Sequence, residues 1–170
     1  WDTSTNGSPL FMYLATNNCH HPLEVPQSYI DKFPASWDSG ERTYAAMTNF
    51  VDEMIGNVTA ALKDKNMWDN TLLFITSDNG GDPTGNNYPF RGAKFSNLEG
   101  GVHVIAMISG GYLPNYKRGK KLNGTIHIAD WYATILEGIL GMDPTDKRAA
   151  AAELPPIDSI NMWPYLMSDG

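Results

Sequence analysis

The chain holds a single cysteine, Cys19, in 170 residues, so no internal disulfide is possible and the cellular compartment must be read from other features. Cations are also scarce. Twelve Lys and Arg stand against nineteen Asp and Glu, a formal net charge of −7. That balance argues against a broad nucleic-acid surface, which needs clustered Lys and Arg. An anionic ligand would have to be held at contact distance, by a few cations or a metal, against the overall field. No apolar run approaches the roughly 18–20 residues of a helical membrane span. The paired-cysteine and H-x-x-x-H spacings of zinc sites are missing, as is the G-x-x-x-x-G-K-[ST] order of a phosphate-binding P-loop. The chain opens at Trp1 without a methionine or a visible signal peptide and reads as a processed or partial product.

What is present suffices for one domain with a core: 42% of the residues are hydrophobic. Residues 9–15, PLFMYLA, read as a buried strand. From Glu41 to about Lys65, Met47, Val51, Met54, Ile55, Val58 and Leu62 recur at spacings of three and four, the stripe of an amphipathic helix. TLLFIT (71–76) and VHVIAMIS (102–109) read as second and third strands, and IHIADWYATILEGILG (126–141) as a second helix. DPTDKRAAAAELPP (143–156) reads as a linker, partly mobile. Near-continuous apolar strands separated by a helix predict parallel pairing with helices on the faces, an α/β layered fold. Only about three strands are evident, so the chain reads as part of a sheet.

The second strand runs into Ser77-Asp78-Asn79-Gly80-Gly81. Ligands of open α/β sheets bind beyond the carboxyl ends of strands. A carboxylate and an amide carbonyl are hard oxygen donors suited to Ca²⁺ or Mg²⁺. Asn-Gly is also a strong turn signal by itself, and spacing alone favours the turn. In Cys19-His20-His21-Pro22, a lone imidazole fits an acid, a base or an anion ligand, although a surface turn accounts for it equally well. Cys19 reads as an inert buried thiol. Arg91 and Lys94 in RGAKFSNLEGG are cations able to hold sulfate or phosphate oxygens, or are simply solvated. Asp130 reads as a first-turn carboxylate favoured by the helix dipole, and Asp52 as solvent-facing or as a buried anchor. Three sequons, at Asn6, Asn57 and Asn123, point towards a secretory route.

Taken in order, DNTLLFITSDNGG, NNYPFRGAKFSNLEGGV, HIADWYATIL and IDSINMWPYL resemble the successive signatures of the sulfatases. The nearest branch is the arylsulfatase B (N-acetylgalactosamine-4-sulfatase-like) type. The resemblance runs from about Pro9 to Gly170. It implies an alkaline-phosphatase-like α/β fold, with a mostly parallel sheet flanked by helices. It also implies hydrolysis of sulfate esters by a formylglycine, made from the cysteine of a C-x-P-x-R motif beside a calcium ion. By resemblance, Asp78 and Asn79 match calcium ligands, Lys94 matches the sulfate-contacting lysine of the R-G-x-K loop, and Arg91 belongs to the same loop. His20 matches the histidine of H-x-P-L that contacts sulfate and assists the leaving group, with His21 at the variable position.

Several family features are missing from these 170 residues: C-x-P-x-R, the aspartate pair completing the calcium site, and the lysine and histidine serving the formylglycine. They are expected upstream of Trp1, and the small carboxy-terminal domain after Gly170. His103 replaces the usual arginine after EGGV. The expectation is therefore a sulfatase catalytic-domain fragment over 1–170, inactive alone and partnered by the missing half. Its substrate would be a sulfate ester, a sulfated glycan among the candidates, and its location secreted or lysosomal. The alternative is a non-catalytic glycosylated structural or interaction protein derived from the same fold. A phosphodiesterase-like relative with a two-metal site is opposed by the R-G-x-K loop.

Overall fold

Residues 9–168 are described by the computed structural model, and the chain divides into two units, Trp1–Leu113 and Pro114–Gly170. In the first unit a short helix, α1 (Gln27–Ile30), precedes the 26-residue α2 (Ser39–Asp64). The start of α2 is set by Asp38, whose Oδ1 accepts the Gly40 and Glu41 backbone N–H groups at 2.8 and 3.3 Å. Glu41 in the first turn and Lys63 in the last complement the helix dipole. The predicted stripe is the inward face. Met47 and Leu62 are buried, and Val51, Met54, Ile55 and Val58 are half-buried, while Asp52 is exposed. Tyr29 of α1 meets Phe50 of α2 edge-to-face at 5.2 Å.

Two strands follow, β1 (Leu73–Thr76) and β2 (Ala106–Ser109), with the four-residue α3 (Glu99–Val102) between them. Their ladder is antiparallel, pairing Leu73 with Ser109 and Thr76 with Ala106, which corrects the parallel pairing expected for this pair. A parallel pair needs a crossover that carries the chain back to the start of the first strand, usually on a long helix. Here the connection leaves and returns at the same end. Ser77 N donates to Ile105 O at 3.4 Å and Gly80 N to Gly101 O at 2.9 Å.

Residues 9–15 form no strand. Phe11 and Tyr13 are 78% and 87% exposed, and among the described residues no strand lies alongside to take up their backbone hydrogen bonds. Residues 102–105 also lie outside the strand predicted for 102–109, because Val102 closes α3.

In the second unit the predicted helix over 126–141 starts late and changes pitch. α4 covers Asp130–Ala133, and a wider π-type turn runs over Thr134–Ile139, with Leu140 N bonding back to Ile135 O at 3.0 Å. The predicted linker contains α5 (Lys147–Ala151), capped by Asp146, whose Oδ1 accepts from Arg148 N and Ala149 N. A last helix, α6, spans Trp163–Met167. Asp130 is buried and does more than complement a dipole, since its oxygens accept His127 N at 2.9 Å and Ile160 N at 3.0 Å. Thr134, fully buried, accepts Met162 N at 2.9 Å. These bonds stitch α4 to the segment leading into α6. No helix among the described residues is long and apolar enough to cross a membrane.

Candidate active site

Tyr44 and Thr48 lie four residues apart and so share one face of α2. Each holds one of the loops that carry the expected site. Thr48 Oγ1 is 3.3 Å from Cys19 Sγ, which seats the turn at 19–22. Tyr44 lies under the loop that begins at Asp78. A β-carbon on Gly81 would meet its hydroxyl at 3.1 Å, and one on Gly85 its ring at 3.0 Å. Glycine at these two positions lets the loop backbone lie this close without crowding the ring. Burial pushes the Tyr44 hydroxyl above its ordinary pKa, reinforced by Cys19, Asp82 and Asp78.

The turn and the loop are joined directly. His21 Nε2 lies 2.7 Å from Asp82 Oδ2, while Thr84 N donates to Asp82 Oδ1 at 2.8 Å and Gly85 N to Asp82 O at 2.9 Å. Burial raises the Asp82 carboxyl, but the Thr84 hydrogen bonds and the His21 imidazole outweigh it, so it titrates below the usual carboxylate range. His20 is exposed, and its Nδ1 lies 2.7 Å from the His21 carbonyl oxygen. Cys19 is half-buried, and burial raises its thiol against the opposing Thr48 hydrogen bond. Such a thiol stays protonated and unreactive at neutral pH, in line with the inert reading.

Lys94 is tied to the same loop. Its backbone N donates to Gly81 O at 2.9 Å, and its Nζ stands 5.3 Å from the centre of the Phe95 ring. Asn87 clamps Gly81 from both sides, accepting its N–H at 2.8 Å and donating to its carbonyl at 2.9 Å. The glycines of SDNGG and EGGV interlock. Gly80, Gly100 and Gly101 are buried, and a β-carbon on Gly80 would collide with the Gly100 carbonyl. The backbone of this polar loop is thus interior at these glycines. Arg91 contributes its carbonyl, which accepts Gly100 N at 2.9 Å, and its side chain is exposed. His103 forms a local cluster, with Nδ1 2.6 Å from Glu99 Oε2 and its ring stacked on Phe90 at 4.3 Å.

Asp78 and Asn79 sit at the carboxyl end of β1, Asp78 exposed and Asn79 half-buried. Asn79 N donates to Asp78 Oδ1 at 2.9 Å, and Ser77 Oγ donates to Asn79 O at 2.8 Å. Their hard oxygens fit calcium chemistry, but calcium takes six to eight oxygens. No three His, Cys, Asp or Glu side chains converge as a metal cluster among the described residues. The pair can therefore supply only part of a coordination shell. Of the sequon asparagines, Asn57 on α2 and Asn123 are exposed, and Asn6 lies outside the described residues.

Sequence reading missed Asp82, Asn87, Tyr44 and Thr48. The i, i+4 spacing of Tyr44 and Thr48 marks a shared face, and Asp82-Pro-Thr-Gly marks a turn. Neither pattern names the loop each would hold.

The fold and this arrangement define an α/β protein in which the histidine turn and the Lys94 backbone are both tied to the polar loop beyond the end of β1. The chain belongs to the sulfatase family, whose model, described as Sulfatase, matches residues 2–141. It is 38% identical to arylsulfatase J of Mus musculus over 157 residues, covering 91% of this chain and 25% of the relative. To N-acetylgalactosamine-6-sulfatase of Homo sapiens it is 27% identical, covering 94% and 28%. Among solved structures it resembles Ps i-CgsB in complex with k-i-k-neocarrahexaose. The TM-score is 0.83 at 32% identity, covering 98% of this chain and 35% of that one. The chain thus spans about a quarter to a third of the length of these relatives.

Proposed function

We propose that the chain forms part of a sulfatase active site, which hydrolyses sulfate esters when completed by a portion bearing the formylglycine nucleophile. The observation that carries this reading is the linkage of the two signature loops. His21 bonds Asp82, and Lys94 bonds Gly81, so the histidine turn, the Asp78-Asn79 pair and the lysine belong to one connected structure.

In this reading Asp78 and Asn79 hold one side of a calcium ion. The completed site supplies a nucleophile and a Lewis acid for sulfur–oxygen cleavage. Lys94 neutralises charge on a sulfate oxygen as a point cation. His20, hydrogen-bonded through Nδ1, presents Nε2 to the leaving oxygen and stabilises it as a donor when protonated. Arg91 adds a second cation at the rim. The net charge of −7 is no obstacle, since these groups act at contact distance.

A sulfated glycan is the favoured substrate class, supported by the neocarrahexaose bound in a similar solved structure. A secreted or lysosomal location accompanies this reading, supported by the exposed sequon asparagines Asn57 and Asn123.

The test compares purified residues 1–170 with the same chain in its native material. Residues 1–170 alone are expected to leave an aryl sulfate uncleaved, and mass spectrometry of the native material to find an upstream peptide bearing formylglycine. Enzyme-like turnover by 1–170 alone would overturn the shared-site reading. Native material without any such peptide would favour the non-catalytic alternative.

A further inference from the structure

We propose that Asp82 is a positioning residue for His20, acting through His21. The proposal rests on the sulfatase reading for its consequence, but on geometry for its substance. His20 is exposed, so burial does not orient its ring. What orients it is the 2.7 Å contact from Nδ1 to the His21 carbonyl oxygen. A carbonyl oxygen can only accept, so Nδ1 carries the hydrogen. This fixes the tautomer and leaves Nε2 as the nitrogen that faces a ligand.

The position of that carbonyl depends on how the His21 residue is held. Its own ring is anchored by Nε2 to Asp82 Oδ2 at 2.7 Å. Asp82 is in turn locked by Thr84 N on Oδ1 and by Gly85 N on its carbonyl, in the loop seated on Tyr44. The two adjacent histidines thereby take different tasks. His21 faces the loop as a tether and His20 faces solvent as the working imidazole. Asp82 also links His20 to the loop that begins with Asp78 and carries Lys94, so displacement of that loop is transmitted to the imidazole.

The experiment is long-range ¹H–¹⁵N spectroscopy of the 170-residue chain with ¹⁵N-labelled histidine. It is run at about pH 8, above the ordinary histidine pKa of about 6.5. There are four histidines, and His20→Gln identifies the His20 signals. Free histidine favours the Nε2–H form, so a predominant Nδ1–H form at an exposed ring is a signature of the fixed hydrogen bond.

The wild type is expected to show that form at His20, and Asp82→Ala to shift it towards Nε2–H. His21→Gln, whose amide can still donate to Asp82, is expected to retain it. The proposal is overturned if wild-type His20 is already Nε2–H, if Asp82→Ala leaves it unchanged, or if His21→Gln loses it as fully as Asp82→Ala. Circular dichroism monitors α2, and if Asp82→Ala loses helicity, Asp82→Ser, whose single hydroxyl can keep the turn bond from Thr84 N without supplying the second oxygen that holds His21, is judged by the same criterion. No substrate enters these spectra, so the proposal can fail while the sulfatase reading stands. Conversely, a completed enzyme in which His20→Gln left turnover intact would remove the catalytic role and leave the spectra unaltered.

Discussion

Asp82 accepts the His21 imidazole on one oxygen and the Thr84 backbone on the other. Its pKa is lower folded than unfolded, so its contribution to stability is fully present above the unfolded value of about 3.9 and is lost as pH falls through the folded value. Asp82→Asn is expected to cost about 1–2 kcal/mol at pH 7, the lower part of the range for hydrogen bonds to charged groups because His21 is largely exposed. The loss should shrink as the wild-type carboxyl protonates below about pH 4. Urea unfolding of both forms across that range checks it, and a pH-independent difference would contradict the assignment. Sequence alone shows Asp82 as the start of a turn. Its partner lies 61 positions earlier, in a segment with no periodic signal that would bring the two together.

At the scale of elements, the long helix was legible because its apolar spacing is local. The capping aspartate precedes it directly, and the stripe from Met47 to Leu62 faces inward as predicted. The glycines were less legible. Gly80 and Gly56 look alike in sequence, yet one is locked and the other is free. A β-carbon on Gly80 collides with the Gly100 backbone, whereas one on Gly56 meets nothing within 4 Å. Gly80→Ala is therefore expected to destabilise the chain by about 1–3 kcal/mol through overpacking. Gly56→Ala, at an exposed position of α2, should stabilise it by about 0.5–1 kcal/mol. Thermal unfolding of the two variants tests this pair, and equal shifts would mean that the SDNGG and EGGV backbones do not interlock in solution. The helix over 126–141 was misjudged in its pitch, since apolar spacing does not reveal that Thr134 accepts a hydrogen bond from Met162.

At the scale of the whole molecule, membership of the sulfatase family was readable from the order of four signatures, but the pairing of the strands was not. Continuous apolar strands resemble buried parallel ones. Only the return of the 77–105 connection to the same end makes this pair antiparallel. In the completed enzyme Lys94→Ala is expected to lower turnover about 10²–10³-fold, the usual effect of removing one group that stabilises developing charge. Steady-state kinetics on an aryl sulfate checks it, and unchanged turnover would remove Lys94 from the sulfate pocket.

The amino-acid sequence by itself determined the family and the long helix with its inward stripe, because these depend on local order and spacing. Tertiary structure decided the antiparallel ladder, the buried glycine contact and the tether from Asp82 to His21. Each of these depends on which distant backbone comes within hydrogen-bond or van der Waals distance, and local sequence does not encode that.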